Sequence, residues 1–168
     1  MEEARDFVLK VGLADVVHNP KGKQPTLWDA LAFTANGPDA WGEKLGQVWA
    51  LRQQLTATYP EQIFSGKIRG GRIILMSMER LHEQYARYHR PLEACSDLAQ
   101  QLYAIIAQGP IASLPLRQAA GLVTRKERSR FERALQELQT TFNIARSPAA
   151  DSPDLWVPFT QQYSQFAA

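Results

Sequence analysis

Basic side chains gather in two places along the chain. One group is Lys67, Arg69 and Arg72, on either side of Gly70-Gly71; the other is Arg125, Lys126, Arg128, Arg130 and Arg133. Cations at this density suit phosphate, and arginine can also meet phosphate or a guanine edge with two parallel hydrogen bonds. A solvated face that only aids solubility carries the same residues, so the elements beneath them decide. Placing Phe131 at the centre of a buried helical face, and turning about 100° per residue, sends Lys126, Ser129, Arg133, Gln136 and Thr140 to the opposite side. Arg130 falls at the margin of that side. Arg and Gln match guanine and adenine edges, while Ser, Thr and Lys meet phosphates. A helix entering a major groove needs such a face. Glu132 and Glu137 lie on its flanks and are expected to repel phosphate that comes close.

Other chemistry finds little support. Cys95 is the only cysteine, which leaves no internal disulfide and no multi-cysteine zinc site. His82 and His89 stand seven apart, with Glu79 and Glu83 near His82, whereas a helical zinc pair needs i, i+4 spacing. They read as surface or packing histidines. There is no GxGxxG, P-loop or GxSxG, and Gly66-Lys67-Ile68-Arg69-Gly70-Gly71 is too short and wrongly ordered for a phosphate loop. No pair of carboxylates stands at a spacing that assigns general acid and base. The expectation is a protein without cofactor, metal or recognisable catalytic motif.

The elements that position the basic residues follow from breakers and periodicity. The chain has 168 residues, enough for one domain or two small ones, with 45% hydrophobic and 21% charged residues, as soluble proteins have. The net charge of +2 is weak evidence beside its distribution. No apolar run approaches the roughly 20 residues of a membrane span. The acidic start Met1-Glu2-Glu3-Ala4-Arg5-Asp6 lacks the basic region of a secretory signal, so a cytoplasmic protein is expected. A helix over residues 3–11 stops at Gly12. Thr26 caps a short helix with Asp29 three residues on. A longer helix from Asp39 to Tyr59 buries Trp41, Leu45, Val48, Trp49 and Leu55 on one stripe. Two β-rich runs around Gly70-Gly71, near residues 63–76, predict a hairpin. Its Lys67, Arg69 and Arg72 suit a ribbon that follows a nucleic-acid backbone, or equally a charged edge that resists aggregation. Ser77 opens a helix that runs to about His89.

The second half is organised differently. Ser96 caps a helix with a stripe of Leu98, Leu102, Ile105 and Ile106, ended by Gly109-Pro110. A short helix follows with Leu116, Ala119 and Ala120 inward, then Gly121. A third helix spans about Arg125 to Thr141 with Phe131, Ala134, Leu135 and Leu138 inward. Strand candidates 142–146 and 155–159 flank a polar segment rich in Pro, Ala and Ser. Helix, helix, helix, strand, loop, strand is the winged helix-turn-helix order, with the polar segment as the wing tip and Arg146 as part of a backbone clamp.

Three stretches together resemble the AlkZ-like winged-helix family. They are Lys21-Gly22-Lys23-Gln24-Pro25-Thr26-Leu27-Trp28-Asp29-Ala30, the Gly66-Lys67 hairpin ending in Leu75-Met76-Ser77, and residues 109–117 with 131–139. Full-length members are DNA glycosylases that unhook crosslinked bases, built from tandem winged helices. Their catalytic signature is a Gln-x-Asp or Gln-x-Gln triplet. Here Gln101-Leu102-Tyr103 and Gln139-Thr140-Thr141 lack the second polar partner, so no catalytic residue carries over. The resemblance implies the binding scaffold in a short, non-catalytic branch.

The expectation is therefore an α+β protein, mostly α. Residues 1–92 form a helical portion with the hairpin, and residues 93–168 form a winged helix-turn-helix domain. Double-stranded DNA is the expected partner, in repair or transcription. The contacts come from Lys126, Ser129, Arg130, Arg133, Gln136 and Arg146, with Lys67, Arg69 and Arg72 on the hairpin. Two alternatives stay open. One is a protein-interaction or scaffold module, including a homodimer, marked by an exposed apolar patch around Trp28, Trp41 or Trp156. The other is a glycosylase-like enzyme with a degenerate site.

Overall fold

The structure is a computed structural model that describes residues 1–34, 37–148 and 154–167. The chain is α+β and mostly helical, with two small three-stranded antiparallel sheets, and it divides into two compact units. The first is made chiefly of Met1–Gly66 and Arg72–Glu83; the second of Lys67–Gly71, Gln84–Ser147 and residues 154–167.

In the first unit, α1 (Glu2–Val11) ends where Gly12 takes φ 74°, a value that favours glycine, and returns its amide to the Val8 carbonyl at 2.9 Å. Strand β1 (Leu13–Asp15) follows at once. Three residues are too few for alternation to show, so the periodicity of the chain does not reveal this strand. It forms because β3 (Ile73–Ser77) offers a partner, pairing Leu13 with Met76, Ala14 with Leu75 and Asp15 with Ile74. Strand β2 (Ile63–Lys67) lies on the other side of β3, so the predicted hairpin forms one side of a three-stranded sheet. The helices α2 (Leu27–Ala30) and α3 (Ala40–Thr58) complete the unit, with Val8, Leu27, Val48, Leu55, Ile63 and Leu75 fully buried together.

The stripe expected on α3 is partly corrected. Val48 and Leu55 are buried and Trp49 partly so, but Trp41 is 66% exposed. Trp41 sits in the first turn of α3, where its ring meets that of Trp28 at 5.9 Å instead of entering the core.

Thr26 caps α2 as its spacing suggests. Its hydroxyl accepts from the Asp29 amide at 3.0 Å and donates to the Asp29 carboxylate at 2.6 Å. That donated bond, with His18 Nδ1 3.1 Å away, holds the Asp29 carboxyl below its ordinary range. A carboxyl whose folded value is depressed adds stability at neutral pH, and that stability is lost as pH falls through the folded value. Thr26→Ala should cost about 1 kcal/mol at neutral pH. It should also reduce the loss seen on acidification, which urea midpoints at neutral and acid pH will show.

Helix α4 (Met78–Tyr88) starts with Ser77 accepting from the Arg80 amide at 3.3 Å, and the division between the units falls within it. The second unit then runs α5 (Asp97–Ile106), β4 (Ile111–Ala112), α6 (Ser113–Ala119), α7 (Arg125–Thr140), β5 (Ile144–Arg146), β6 (Leu155–Pro158) and α8 (Phe159–Gln162). Strand β4, two residues long, is invisible to sequence periodicity. It pairs with β6 through Ile111 and Trp156, giving the sheet order β4-β6-β5. Trp156 is buried, and its indole N–H donates to Ser113 Oγ at 2.9 Å, tying β6 to the start of α6. The core comprises Leu102, Ile106, Leu116, Phe131, Leu135, Leu138 and Ile144.

After α7 the backbone turns through Phe142 at φ 56°, an unusual value for a bulky residue. Its ring is buried, 5.5 Å from Phe159 and 5.9 Å from Tyr85, so aromatic packing holds the turn. The wing tip expected between β5 and β6 lies mostly outside the described residues. Among the described residues, no helix is long and apolar enough to cross a membrane.

Candidate nucleic-acid interface

Helix α7 positions the larger basic cluster. It opens with a reciprocal cap in which the Thr124 amide and hydroxyl donate to Glu127 Oε2 at 3.0 and 2.8 Å. These bonds hold the Glu127 carboxyl below its ordinary range and direct it back to the helix start. Phe131, Ala134, Leu135 and Leu138 fix the buried side. Lys126, Ser129, Arg130 and Arg133 are all exposed as a result, and Thr140 is half-buried.

Gln136 lies differently. It is half-buried, and a Cβ built on Gly71 would come 2.9 Å from its Oε1 and 3.0 Å from its Nε2. Gly71 has φ 77°, so both its backbone and its missing side chain let the hairpin tip sit against Gln136 in the C-terminal part of α7. Tertiary structure thereby brings Lys67 and Arg69 into one unit with α7, some 60 residues away in sequence. The exposed Arg69 and half-buried Lys67 join the α7 unit.

The flanking acids are occupied. Glu137 accepts from the Ser96 amide at 3.1 Å and from its hydroxyl at 2.6 Å, and Arg90 Nη2 lies 3.8 Å away. It binds the start of α5, so the repulsion expected from its place on a helical wheel is largely offset. Glu132 sits 3.9 Å from Arg128 across one turn.

Two predicted contacts are placed elsewhere. Arg146 is only 4% exposed and pairs with Asp154 at 3.4 Å, so its guanidinium is held within the unit and not offered to solvent. Arg72 belongs to the first unit, where its Nη1 lies 3.0 and 2.8 Å from the two oxygens of buried Asp15. Its charge is committed to a carboxylate that is out of water. Arg72→Ala should destabilise the protein by about 2 kcal/mol, because Asp15 is left buried without its counter-charge. Adding Asp15→Asn should restore part of that loss in urea unfolding.

Sequence reasoning named Arg69 but missed Arg87 and Arg90, which join it. Arg69, Arg87, Tyr88, His89, Arg90, Thr140 and Thr141 line a cleft of about 360 Å³ in the second unit. The run Arg87-Tyr88-His89-Arg90 was itself a signal, but it lies at the end of a helix and contributes only through the fold. His89 Nδ1 faces the Thr141 carbonyl at 3.1 Å, so this nitrogen carries hydrogen, and the ring stacks on Tyr85 with centroids 4.4 Å apart. Arg87 lies over the Tyr88 ring at 5.2 Å.

A family model described as AlkZ related matches residues 1–152. The chain belongs to the AlkZ-related family. No curated protein and no solved structure matches it. The matched span of this AlkZ-related chain includes both basic clusters, α7 and the cleft, and ends before β6. Membership relates it to the DNA-repair glycosylases that the sequence resembles. Of the two glutamine triplets weighed against the family's catalytic signature, Gln139 is buried with its Nε2 donating to the Leu135 carbonyl at 3.2 Å. Gln101 is exposed on α5.

Proposed function

We propose that the second unit contains a winged helix-turn-helix domain that binds double-stranded DNA through the exposed face of α7. The order α5, β4, α6, α7, β5, β6 with the sheet β4-β6-β5 supports the winged-helix reading. The domain begins near residue 93, and residues 1–92 carry the supporting helices and hairpin. Lys126, Ser129, Arg130 and Arg133 make the contacts from α7, joined by Lys67 and Arg69 at the hairpin tip. The observation that carries this reading is the exposure of Lys126, Arg130 and Arg133 on one helix whose acidic neighbours are already engaged. The role is binding in DNA repair or transcription, without catalysis, in the cytoplasm. Retention of duplex DNA at low ionic strength, falling steeply with added salt, is the test. A wild-type protein that shows no salt-dependent retention overturns it.

A second reading rests on Trp41. Its 66% exposure beside Trp28 favours a protein partner, a second copy of the chain among them. Sedimentation of wild type and Trp41→Ala distinguishes self-association from a monomer.

A further inference from the structure

The cleft at the end of α7 is built unlike a surface that rides on a duplex. Arg69 reaches it from the hairpin tip, Arg87, His89 and Arg90 from the end of α4 and just beyond, and Thr140 from α7. Three separate segments thus supply its walls. No carboxylate is among the described residues that line it. Among the described ion pairs, Glu137 lies 3.8 Å from Arg90 and already holds Ser96. Three guanidiniums in one cleft repel one another, and an anion removes that cost while accepting their paired donors. His89 has its Nδ1–H committed to a carbonyl, so Nε2 accepts from a protonated phosphate oxygen in the neutral ring and donates to the anion only in the imidazolium.

Shape selects the kind of anion. A duplex presents its phosphates on a convex rod, each held between two sugars, and passes over a walled cleft. A phosphate with a single ester bond protrudes, and at neutral pH carries about −1.5 to −2 charges. The 360 Å³ falls in the range of small-molecule sites, roughly 300–1,000 Å³, and exceeds what a bare ion needs. Tyr88 adds a ring for the sugar or base that follows.

We propose that this cleft binds a phosphomonoester, supplied by the phosphorylated end of a nucleic-acid strand. The choice of a strand end as source rests on the duplex-binding reading of α7. The test measures affinity for one duplex made with phosphate or hydroxyl ends, together with amide chemical shifts of residues 87–90 on adding a nucleoside monophosphate. Phosphate ends should bind about tenfold tighter, through two or more added charge-assisted bonds. Arg87→Ala with Arg90→Ala, and separately Arg69→Ala at the exposed tip, should abolish that preference while circular dichroism stays native. Arg130→Ala with Arg133→Ala should weaken both duplexes alike and keep the ratio.

A wild type that binds no duplex, yet shows shifts with the nucleoside monophosphate that the cleft variants lose, keeps the phosphomonoester site. That result sinks the duplex reading and assigns a free nucleotide as source. Equal affinity for the two kinds of end with no shifts at residues 87–90 overturns the proposal. So does a preference that survives in the cleft variants.

Discussion

Arg130→Ala combined with Arg133→Ala should lower duplex affinity by about tenfold for each lost phosphate contact near 0.1 M salt. The plot of log K against log salt should flatten by about one unit per contact. Both side chains are exposed on α7, so their removal leaves Phe131, Leu135 and the rest of the buried face untouched. A fold defect would instead change the thermal midpoint, so that measurement accompanies the titration. If Arg133 meets a base edge, its single variant should relax sequence preference by about 1–3 kcal/mol at one position and alter the salt slope less. An unchanged slope in the double variant would remove α7 from the interface.

Phe131→Ala carries the largest expected effect on stability. The ring is 1% exposed, in a core shared with Leu102, Leu116 and Leu138. Truncation removes its transfer free energy and leaves a cavity, together about 3–5 kcal/mol. That is a large share of the stability of a small domain, which is about 5–15 kcal/mol. The second unit has one tryptophan, the buried Trp156, so a variant retaining that residue alone among the four reports unfolding there. The urea midpoint of Phe131→Ala in that background should fall sharply, and duplex binding should fall with it because α7 loses its anchor. A midpoint within about 1 kcal/mol of the parent would contradict this packing.

The two predictions draw on information that was unequally visible in the chain. Helix α7 was legible from both ends. Its buried stripe has the 3.6-residue period, and rotation away from Phe131 put Lys126, Ser129, Arg130 and Arg133 outside, where the structure has them. The caps at Thr26 and Ser96 and the stop at Gly12 were legible for the same reason, since each acts within four residues. Strands β1 and β4 were not. A strand of two or three residues has no period, and exists only where a distant strand offers its edge.

Charged residues show the same division. Counting identified Arg72 and Arg146 as cations but could not show that Asp15 and Asp154 claim them. A helical wheel set Glu137 on the flank of α7 and could not show Ser96 arriving to occupy it. Trp41 had the spacing of a core residue, yet the first turn of α3 leaves it beside Trp28 at the surface.

By itself, then, the sequence determined which segments are helices, where they start and stop, and which face of α7 is wet as far as Arg133, while Gln136 and Thr140 on that same face are half-buried. Those properties come from steric and hydrogen-bonding preferences that act over one or two turns. Tertiary structure alone decided which cations remain available, and that Arg69 joins Arg87 and Arg90 in one cleft. Ion pairing and cleft formation depend on distances between residues far apart in the chain, and only packing sets those distances.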